Sequence, residues 1–441
     1  MWQGITGYEL QRAEDKERKK QTKTRRWSSG EPSAKCQKTS GKQPKKGKEK
    51  EPAGKARKVK VYPTPEQKRT LLKWFGTARW TYNACVEAIE DGTKKSKKEL
   101  RAKCLNAAAF ADKPDLRWVL ETPYDVRDEA MNDLLKAYKT CLSNGKPFKM
   151  KFRSRKQETQ CIAVLAKHWN KTSGEYSKLF GPKVMRSKED LPDVLGYDSR
   201  LIVTRLGEFY LCIPLPLQVR DDNQAPDLSQ HTEGDPLLAG VIALDPGVRT
   251  FMTGYDPSGK TVEWGKADMG RIYRLCHFLD DLQSRWSQKD VRHRKRYRLR
   301  KAARRMRKRI RNLVDECHRK LSRWLVDNYR VVLIPTFRTS EMVRRGQRRI
   351  RSKTARAMCT WAHYRFRTRL LDQAREFPWC RVIEVREDYT SKTCGRCGHI
   401  HQRLGGSKVF RCPACRFEVD RDLNGARNIL LRYLTESGVS V

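Results

Sequence analysis

The sequence predicts a multidomain α+β protein in which a helical part and a β-rich part precede an α/β domain. Apolar residues recur at helical spacing near the N-terminus, alternate in the middle, and form short continuous runs after residue 240. A length of 441 residues suits roughly two to four domains. Lys and Arg number 96 against 51 Asp and Glu, a net charge of +45, which predicts a large polyanionic partner.

Residues 1–55 have the composition of a disordered basic tail, rich in Lys, Gly, Ser, Pro and Gln. The basic clusters Lys16–Arg26 and Lys45–Lys48 could act as nuclear-import signals, or the tail could be a solvated segment without a targeting signal. The composition leaves both interpretations open. The sequence contains neither a long apolar run nor the apolar core of a signal peptide. We therefore expect an intracellular protein without a membrane partner, located in the nucleus.

Order is predicted from residue 56, where a strand over 56–64 leads into a helical segment over 65–141. Thr64-Pro65-Glu66-Gln67 supplies an N-cap, a proline in the first turn and a capping-box glutamine. Apolar residues then recur at helical spacing in two groups: Leu71, Phe75, Ala78 and Tyr82, and Met131, Leu134, Leu135 and Tyr138.

The segment 142–237 is predicted to be mostly β. Apolar residues alternate with basic ones over Phe148–Arg153, as in a strand with one apolar and one cationic face. Leu201–Val203 and Phe209–Ile213 are two further strands, joined by a turn at Gly207 into a hairpin.

Buried strands separated by long helical stretches predict an α/β domain over 238–390 that resumes at 419–441. The predicted strands are Gly240–Leu244, Arg330–Ile334 and Arg381–Val385. Between the first two, Val291–Arg311 contains 13 basic residues in 21 and has apolar residues at helical spacing. This segment is therefore predicted to be a basic amphipathic helix.

Four of the fourteen cysteines form two C-x2-C pairs, Cys394 with Cys397 and Cys412 with Cys415. The other cysteines are scattered singly, which favours a reducing compartment and one metal site over a disulfide framework. Two such pairs at this separation predict a tetrahedral Zn²⁺ site in a zinc ribbon over 391–418. Because sulfur would fill all four positions, this zinc would be structural rather than catalytic.

Two aspartates stand where an α/β sheet places its ligands. Asp245 follows the first buried strand and precedes Pro246 and Gly247, and Asp422 lies at the start of the last helix. Taken alone, such residues are more often a turn residue and a helix N-cap. In a basic protein with a polyanionic partner, they indicate a two-metal phosphodiesterase site in which carboxylates hold two Mg²⁺.

Several segments together resemble the RuvC-like domain of transposon-encoded TnpB nucleases and, more closely, the eukaryotic Fanzor proteins, relatives of the type V CRISPR nucleases. The segments are Ala243–Gly247, Tyr389–Cys394, Asp420–Asn428, Tyr62–Gln67 and Phe148–Lys156. The resemblance covers most of residues 56–435. It implies an RNase H-like nuclease domain interrupted by the zinc ribbon, a β-barrel wedge domain formed by 56–64 and 142–237, and a helical recognition domain over 65–141.

One position departs from the family pattern. In TnpB the strand equivalent to Val331–Ile334 ends in a catalytic glutamate, whereas this chain has Pro335 there. Glu341, Glu384 and Glu387 are the candidates to replace it. Glu387 lies just past the third strand, where a strand-end ligand is expected, and Fanzor proteins are similar in carrying a relocated glutamate at that place.

The resemblance implies that Asp245, Glu387 and Asp422 are catalytic Mg²⁺ ligands, with Asp420 as the helix N-cap. It further implies an RNA-guided DNA endonuclease, acting as a monomeric ribonucleoprotein. A transposon-derived, omega-type guide RNA would pair with one strand of a double-stranded DNA target, the protein would read a short adjacent motif, and water would hydrolyse phosphodiester bonds. Two alternatives stay open: a nuclease-inactive RNA-guided DNA-binding protein, suggested by Pro335, and a zinc-ribbon RNA-binding protein without an enzymatic domain, in which the two aspartates would lie far apart.

Overall fold

A computed structural model of the protein describes residues 53–145, 147–169, 185–217, 239–266, 268–348 and 350–436. The predicted import clusters and most of the predicted tail lie outside the described residues, as does the stretch 218–238. Among the described helices, none is long and apolar enough to cross a membrane.

A strand and a group of helices open the described chain. Thr64 caps the first helix: its hydroxyl accepts the Gln67 amide at 3.3 Å, and the Gln67 side chain accepts the Thr64 amide at 2.9 Å, which confirms the predicted capping box. Tyr82 packs with Met131 and Leu134 of the third helix, as their spacing predicts. The elements are β1 (Ala53–Tyr62), α1 (Pro65–Glu90), α2 (Lys97–Cys104), two 3₁₀ helices (Ala107–Phe110 and Pro114–Glu121) and α3 (Tyr124–Ser143).

β1 belongs to an antiparallel sheet whose other strands come from the middle of the chain. Its other strands are β2 (Thr159–Val164), β3 (Arg186–Ser187), β4 (Ser199–Thr204) and β5 (Phe209–Pro216). In the described residues the sheet has the order β2-β4-β5-β1-β3. β4 and β5 form the predicted hairpin, and Gly207 in its turn has a φ of +78°, a conformation that glycine adopts without strain.

The predicted strand over Phe148–Arg153 is wrong. Residues 147–154 belong to no helix or strand, and Phe148 and Phe152 stay 38% and 52% exposed. A helix side chain satisfies this backbone instead, because the Asn83 amide donates to the Arg153 carbonyl at 3.0 Å and its oxygen accepts the Arg153 amide at 2.7 Å. The alternation of apolar and basic residues therefore marks an extended segment tied to α1, not a sheet strand.

A second, mixed sheet contains the three predicted buried strands side by side. The strands are β6 (Val241–Pro246), β7 (Met252–Tyr255), β8 (Thr261–Trp264), β9 (Val331–Pro335) and β10 (Arg381–Val385). Their described order is β10-β9-β6-β7-β8, with β6, β9 and β10 parallel and β7 and β8 antiparallel to their neighbours. The prediction of an α/β domain is thereby confirmed.

Helices cover this sheet, and the longest of them extends beyond the predicted basic segment. Its second half packs into the core through Val314, Leu321 and Leu325, whereas its first half carries the basic residues. Lys308 in that half donates to Glu208 at 2.6 Å and so ties the helix to the first sheet. The helices are α4 (Asp268–Ser287), α5 (His293–Asn328), α6 (Thr339–Met342), α7 (Ser352–Trp361), α8 (His363–Ala374) and α9 (Arg421–Glu436).

A small hairpin lies between β10 and α9 in the chain. It pairs β11 (Val409–Arg411) with β12 (Glu418–Asp420) in antiparallel register. Phe410 is buried beside Cys394 and Cys412 in a separate small core. This hairpin carries the second cysteine pair close to the start of α9.

Candidate functional site

Strand parity divides the mixed sheet into two faces. Ile242 and Leu244 pack in the core formed with α5 and α8, whereas Val241 and Ala243 pack against α9. Side chains alternate along a strand, so Asp245 faces α9 as Val241 and Ala243 do. The first predicted site residue therefore lies at the carboxyl end of β6, on the α9 face.

The same parity distinguishes the three candidate glutamates. Ile383 and Val385 of β10 pack on the α9 face, and Glu387 follows two residues later, past the strand end. Glu384 points the other way, where its carboxylate meets Arg367 of α8 at 3.3 Å. Glu341 is exposed and pairs at 3.5 Å with Arg338, the residue that directly precedes its helix. Of the three glutamates, Glu387 is the one whose charge acts on Asp245.

α9 brings the third carboxylate to this edge. Asp420 caps the helix, accepting the Asp422 amide at 2.9 Å, as the sequence predicts. Asp422, in the first turn of α9, does not cap the helix, and its negative charge raises the pKa of Asp245. Gly425 allows the close approach of helix and strand, since a Cβ there would lie 2.8 Å from Asp245 Oδ2. The two aspartates are therefore neighbours, which does not fit a protein whose aspartates are far apart.

The pKa of each of the three carboxylates is raised, and that of Asp245 is raised in part by the other two. Burial raises the pKa of Asp245 well above its usual range, and the charges of Asp422 and Glu387 raise it further. Burial, with Asp388 as a smaller cause, raises the pKa of Glu387 to about 7. Burial and the nearby Asp420 raise the pKa of Asp422. Such a cluster is stabilised by bound cations, and its oxygen-only donors fit Mg²⁺.

Basic residues around the cluster only partly offset its charge. Arg421 lowers the pKa of Asp245, and Arg421, Lys408 and Arg249 lower that of Asp422. Lys408, which directly precedes β11, reaches Asp420 at 3.1 Å. In the described part of the chain, the three carboxylates do not form a group whose oxygen atoms all lie within 4.8 Å of one another.

The four predicted cysteines form a compact group. Their sulfur atoms all lie within 4.8 Å of one another, and the distances Cys394–Cys415 and Cys397–Cys412 are both 3.6 Å. Tetrahedral Zn–S bonds of about 2.3 Å require sulfur separations of about 3.8 Å, so the group could hold zinc. The Cys415 amide donates to Cys412 Sγ at 3.5 Å and, as the largest cause, lowers the pKa of Cys412 to about 6, which favours the thiolate that zinc needs.

Two buried asparagines of α9 join the carboxylate cluster to the first cysteine pair. The Asn428 amide donates to the carbonyls of Thr390 at 2.8 Å and Thr393 at 2.7 Å. Asn424 donates to the Thr393 carbonyl at 2.7 Å and accepts the Gly395 amide at 3.0 Å. The turn after Glu387 is thus fixed to the helix that carries Asp422. Both asparagines lie within the Asp420–Asn428 motif, but the motif alone does not indicate this role, because their partners come from a segment about 30 to 38 residues earlier.

Comparison with known proteins shows similarity along most of the chain. A family model described as Cas12f1-like, TNB domain matches residues 363–429, and one described as a helix-turn-helix domain matches residues 54–98. The putative transposase A625R of Paramecium bursaria Chlorella virus 1 is 30% identical over 417 residues, covering 87% of this chain and 88% of that protein.

Two further relatives differ in how they are described. The TnpB-like protein L79 of Acanthamoeba polyphaga mimivirus is 26% identical over 85% of this chain and 72% of its own length. The putative RNA-guided DNA endonuclease InsQ of Escherichia coli (strain K12) is 25% identical over 85% of this chain and 90% of its own length. These similarities are not confined to the cysteine pairs but span most of the chain.

Proposed function

The chain belongs to the TnpB-like nuclease family, and we propose that it is an RNA-guided DNA endonuclease that cleaves double-stranded DNA complementary to a bound guide RNA. The observation that carries the proposal is the convergence of Asp245, Glu387 and Asp422 on the α9 face of the mixed sheet. The description of InsQ as a putative RNA-guided DNA endonuclease supports the substrate class.

The mixed sheet supports an RNase H-like assignment for residues 238–390 and 419–441. Strands β6, β7 and β8 form an antiparallel meander. β9 then pairs in parallel with β6, and β10 pairs in parallel with β9. We assign the antiparallel sheet to the wedge domain and the α1–α3 helices to the recognition domain.

In this proposal Asp245, Glu387 and Asp422 hold two Mg²⁺, and Glu387 replaces the glutamate absent at Pro335. Bound Mg²⁺ would lower the pKa of a water molecule and stabilise the charge of the leaving oxygen. The protein fixes the three carboxylates on two strand ends and one helix start, and it keeps them partly buried, where they attract cations strongly. The asparagine contacts of α9 hold the Glu387 turn in place.

The basic half of α5 supports nucleic-acid binding. Its Arg and Lys residues would neutralise phosphates of the guide–target heteroduplex, while base pairing would supply sequence recognition. Zinc in the four-cysteine group would be structural. The Fanzor assignment, the nuclear location, the omega-type guide and the monomeric ribonucleoprotein are further parts of the proposal.

The test is to express the full-length protein in a host that also transcribes the flanking transposon DNA, and to purify the protein with any RNA bound to it. The bound RNA is sequenced, and the complex is then given a DNA target that matches this RNA. We expect Mg²⁺-dependent double-strand cleavage that Asp245→Ala abolishes and Glu341→Gln preserves. Guide-dependent binding without cleavage by the wild type would instead favour the second candidate, a nuclease-inactive RNA-guided DNA-binding protein, which Pro335 suggests. Absence of any bound RNA would overturn the guided mechanism.

A further inference from the structure

An exposed tyrosine lies at the same edge of the mixed sheet as the carboxylates. Tyr364, the second residue of α8, is 69% exposed. It borders a shallow hollow that is also lined by Pro246 and Pro335, the last residues of β6 and β9. Asp245 directly precedes Pro246 and faces α9, so the hollow opens at the same edge of the sheet as the proposed catalytic site but on the opposite, α8, face.

Arg367 backs the tyrosine ring. Its guanidinium carbon lies 5.4 Å from the centre of the Tyr364 ring. The guanidinium is itself fixed, because it donates to the Thr336 carbonyl at 2.9 Å and to Glu384 at 3.3 Å. The arginine side chain is only 18% exposed. The Tyr364 ring therefore packs against the guanidinium of Arg367, which hydrogen bonds hold in place, and most of the surface of the tyrosine faces solvent.

A buried histidine lines the same hollow. His363 is 4% exposed, stacks on Phe251 and meets Phe337 edge-on. Neither ring nitrogen has a hydrogen-bond partner of normal geometry among the described residues, although the backbone of Gly247 is close enough to act on its pKa. Both ring nitrogens are buried, so His363 belongs to the packed lining of the hollow and is not a contact for an outside molecule.

We propose that Tyr364, backed by Arg367, is a stacking platform for an unpaired nucleobase of a nucleic-acid strand that crosses this edge of the mixed sheet. This inference rests on the proposed function for the identity of the strand. Every base has a π-face, so stacking tolerates any sequence. That property suits an enzyme whose guide determines the cut sequence. A base in an intact duplex is already stacked on its neighbours, so the platform selects single strands.

The experiment uses the full-length protein and a single-stranded DNA oligonucleotide carrying one 5-iodouracil, which photo-crosslinks to stacked aromatic residues. We expect a crosslinked peptide containing Tyr364. Tyr364→Ala should remove that crosslink and weaken binding roughly fivefold or more, the loss of one base–aromatic stack. Tyr364→Trp should restore both. Phe278→Ala, which removes a 61% exposed aromatic ring from α4, is the matched control.

Tyr364→Ala that binds the oligonucleotide as tightly as the wild type would overturn the platform. The outcome is separate from that of the nuclease proposal, because the crosslink does not require cleavage. Asp245→Ala should retain it. A protein that shows the Tyr364 crosslink but never cuts a guided target would contradict the nuclease proposal and leave the platform standing.

Discussion

Pro335 ends β9 directly opposite Val385 of the parallel strand β10. Glu387 follows two residues beyond Val385 and so continues on the same face as Val385 and Asp245. In the proposed site, the carboxylate that β9 lacks at Pro335 is thus supplied from the end of the neighbouring strand. Parallel neighbours present their carboxyl ends at one edge, which allows a ligand to change strands without leaving the site.

The proposed relocation of the catalytic glutamate from position 335 to Glu387 predicts that a glutamate restored at position 335 can rescue a Glu387 variant. Glu387→Gln should lower the cleavage rate about 100-fold or more, because a site built on carboxylates loses several kcal/mol of charge stabilisation. The double variant Pro335→Glu with Glu387→Gln should recover part of that loss, measured as single-turnover cleavage of a guided target. Glu341→Gln is the control and should cleave as the wild type does. If Glu387→Gln cleaves normally, the assignment of this glutamate is wrong.

The Asn428 contacts predict a combined loss of stability and activity. Asn428→Ala removes the side-chain donor to the Thr390 carbonyl and one of the two side-chain donors to the Thr393 carbonyl, so the free energy of unfolding should fall by about 1–3 kcal/mol. Cleavage should also slow at temperatures where the variant is fully folded, because the turn behind Glu387 is released. Asn328→Ala removes an asparagine whose side chain donates within α5, to the Trp324 carbonyl, and should affect cleavage little. Equal cleavage by the two variants would show that the turn is positioned by other contacts.

The cysteine group predicts a zinc content of about one ion per chain. Cys412→Ser should lose that zinc in metal analysis and lower the unfolding temperature. Cleavage should decline as well, since Asn424 links the first cysteine pair to α9 through Gly395. Cys359→Ser changes an exposed, free cysteine of α7 and is the matched control. Retention of zinc by Cys412→Ser would contradict the four-cysteine site.

Two buried histidines predict how stability changes with pH. Burial lowers the pKa of His318 and of His363 to about 3, whereas histidine in an unfolded chain titrates near 6.5. Between these values the unfolded state binds more protons, so stability falls as the pH drops below about 6.5. The loss is about 1.4 kcal/mol per pH unit for each histidine.

His318→Gln is the variant for this test, because glutamine can still donate to the Trp361 carbonyl, which lies 2.9 Å from His318 Nε2. The decrease in unfolding free energy from pH 7 to pH 5, measured in urea, should be about 2 kcal/mol smaller in the variant than in the wild type. His277→Gln, at an exposed position on α4, serves as control. An identical decrease in His318→Gln and the wild type would show that His318 is charged in the fold.

Features encoded by neighbouring residues could be predicted from the sequence. The Thr64 cap, the buried strands before Asp245 and Glu387, and the spacing of the cysteine pairs all depend on residues close together in the chain. Each was visible as a local pattern with a physical cause. The face of the sheet that Glu387 occupies follows from the same two-residue period.

Features that depend on distant contacts could not be predicted. The extended segment at Phe148 alternates like a strand, but its hydrogen-bond partner is Asn83 on α1. Asn428 is buried against a carbonyl 38 residues earlier, so its role needs the fold. Tyr364 belongs to no motif, and its exposure beside Pro246 arises only once α8 is placed against the sheet.

Asp245 and Asp422 are adjacent in space but 422 − 245 = 177 residues apart in the chain. A ribosome adding about 5–20 residues per second needs roughly 10–35 s to make the second after the first. Before that interval ends, both sheets and the basic half of α5 have been synthesised, while the helix that completes the carboxylate cluster has not. The nascent chain thus gains its surfaces for nucleic acid before it can assemble the cluster proposed to cut it.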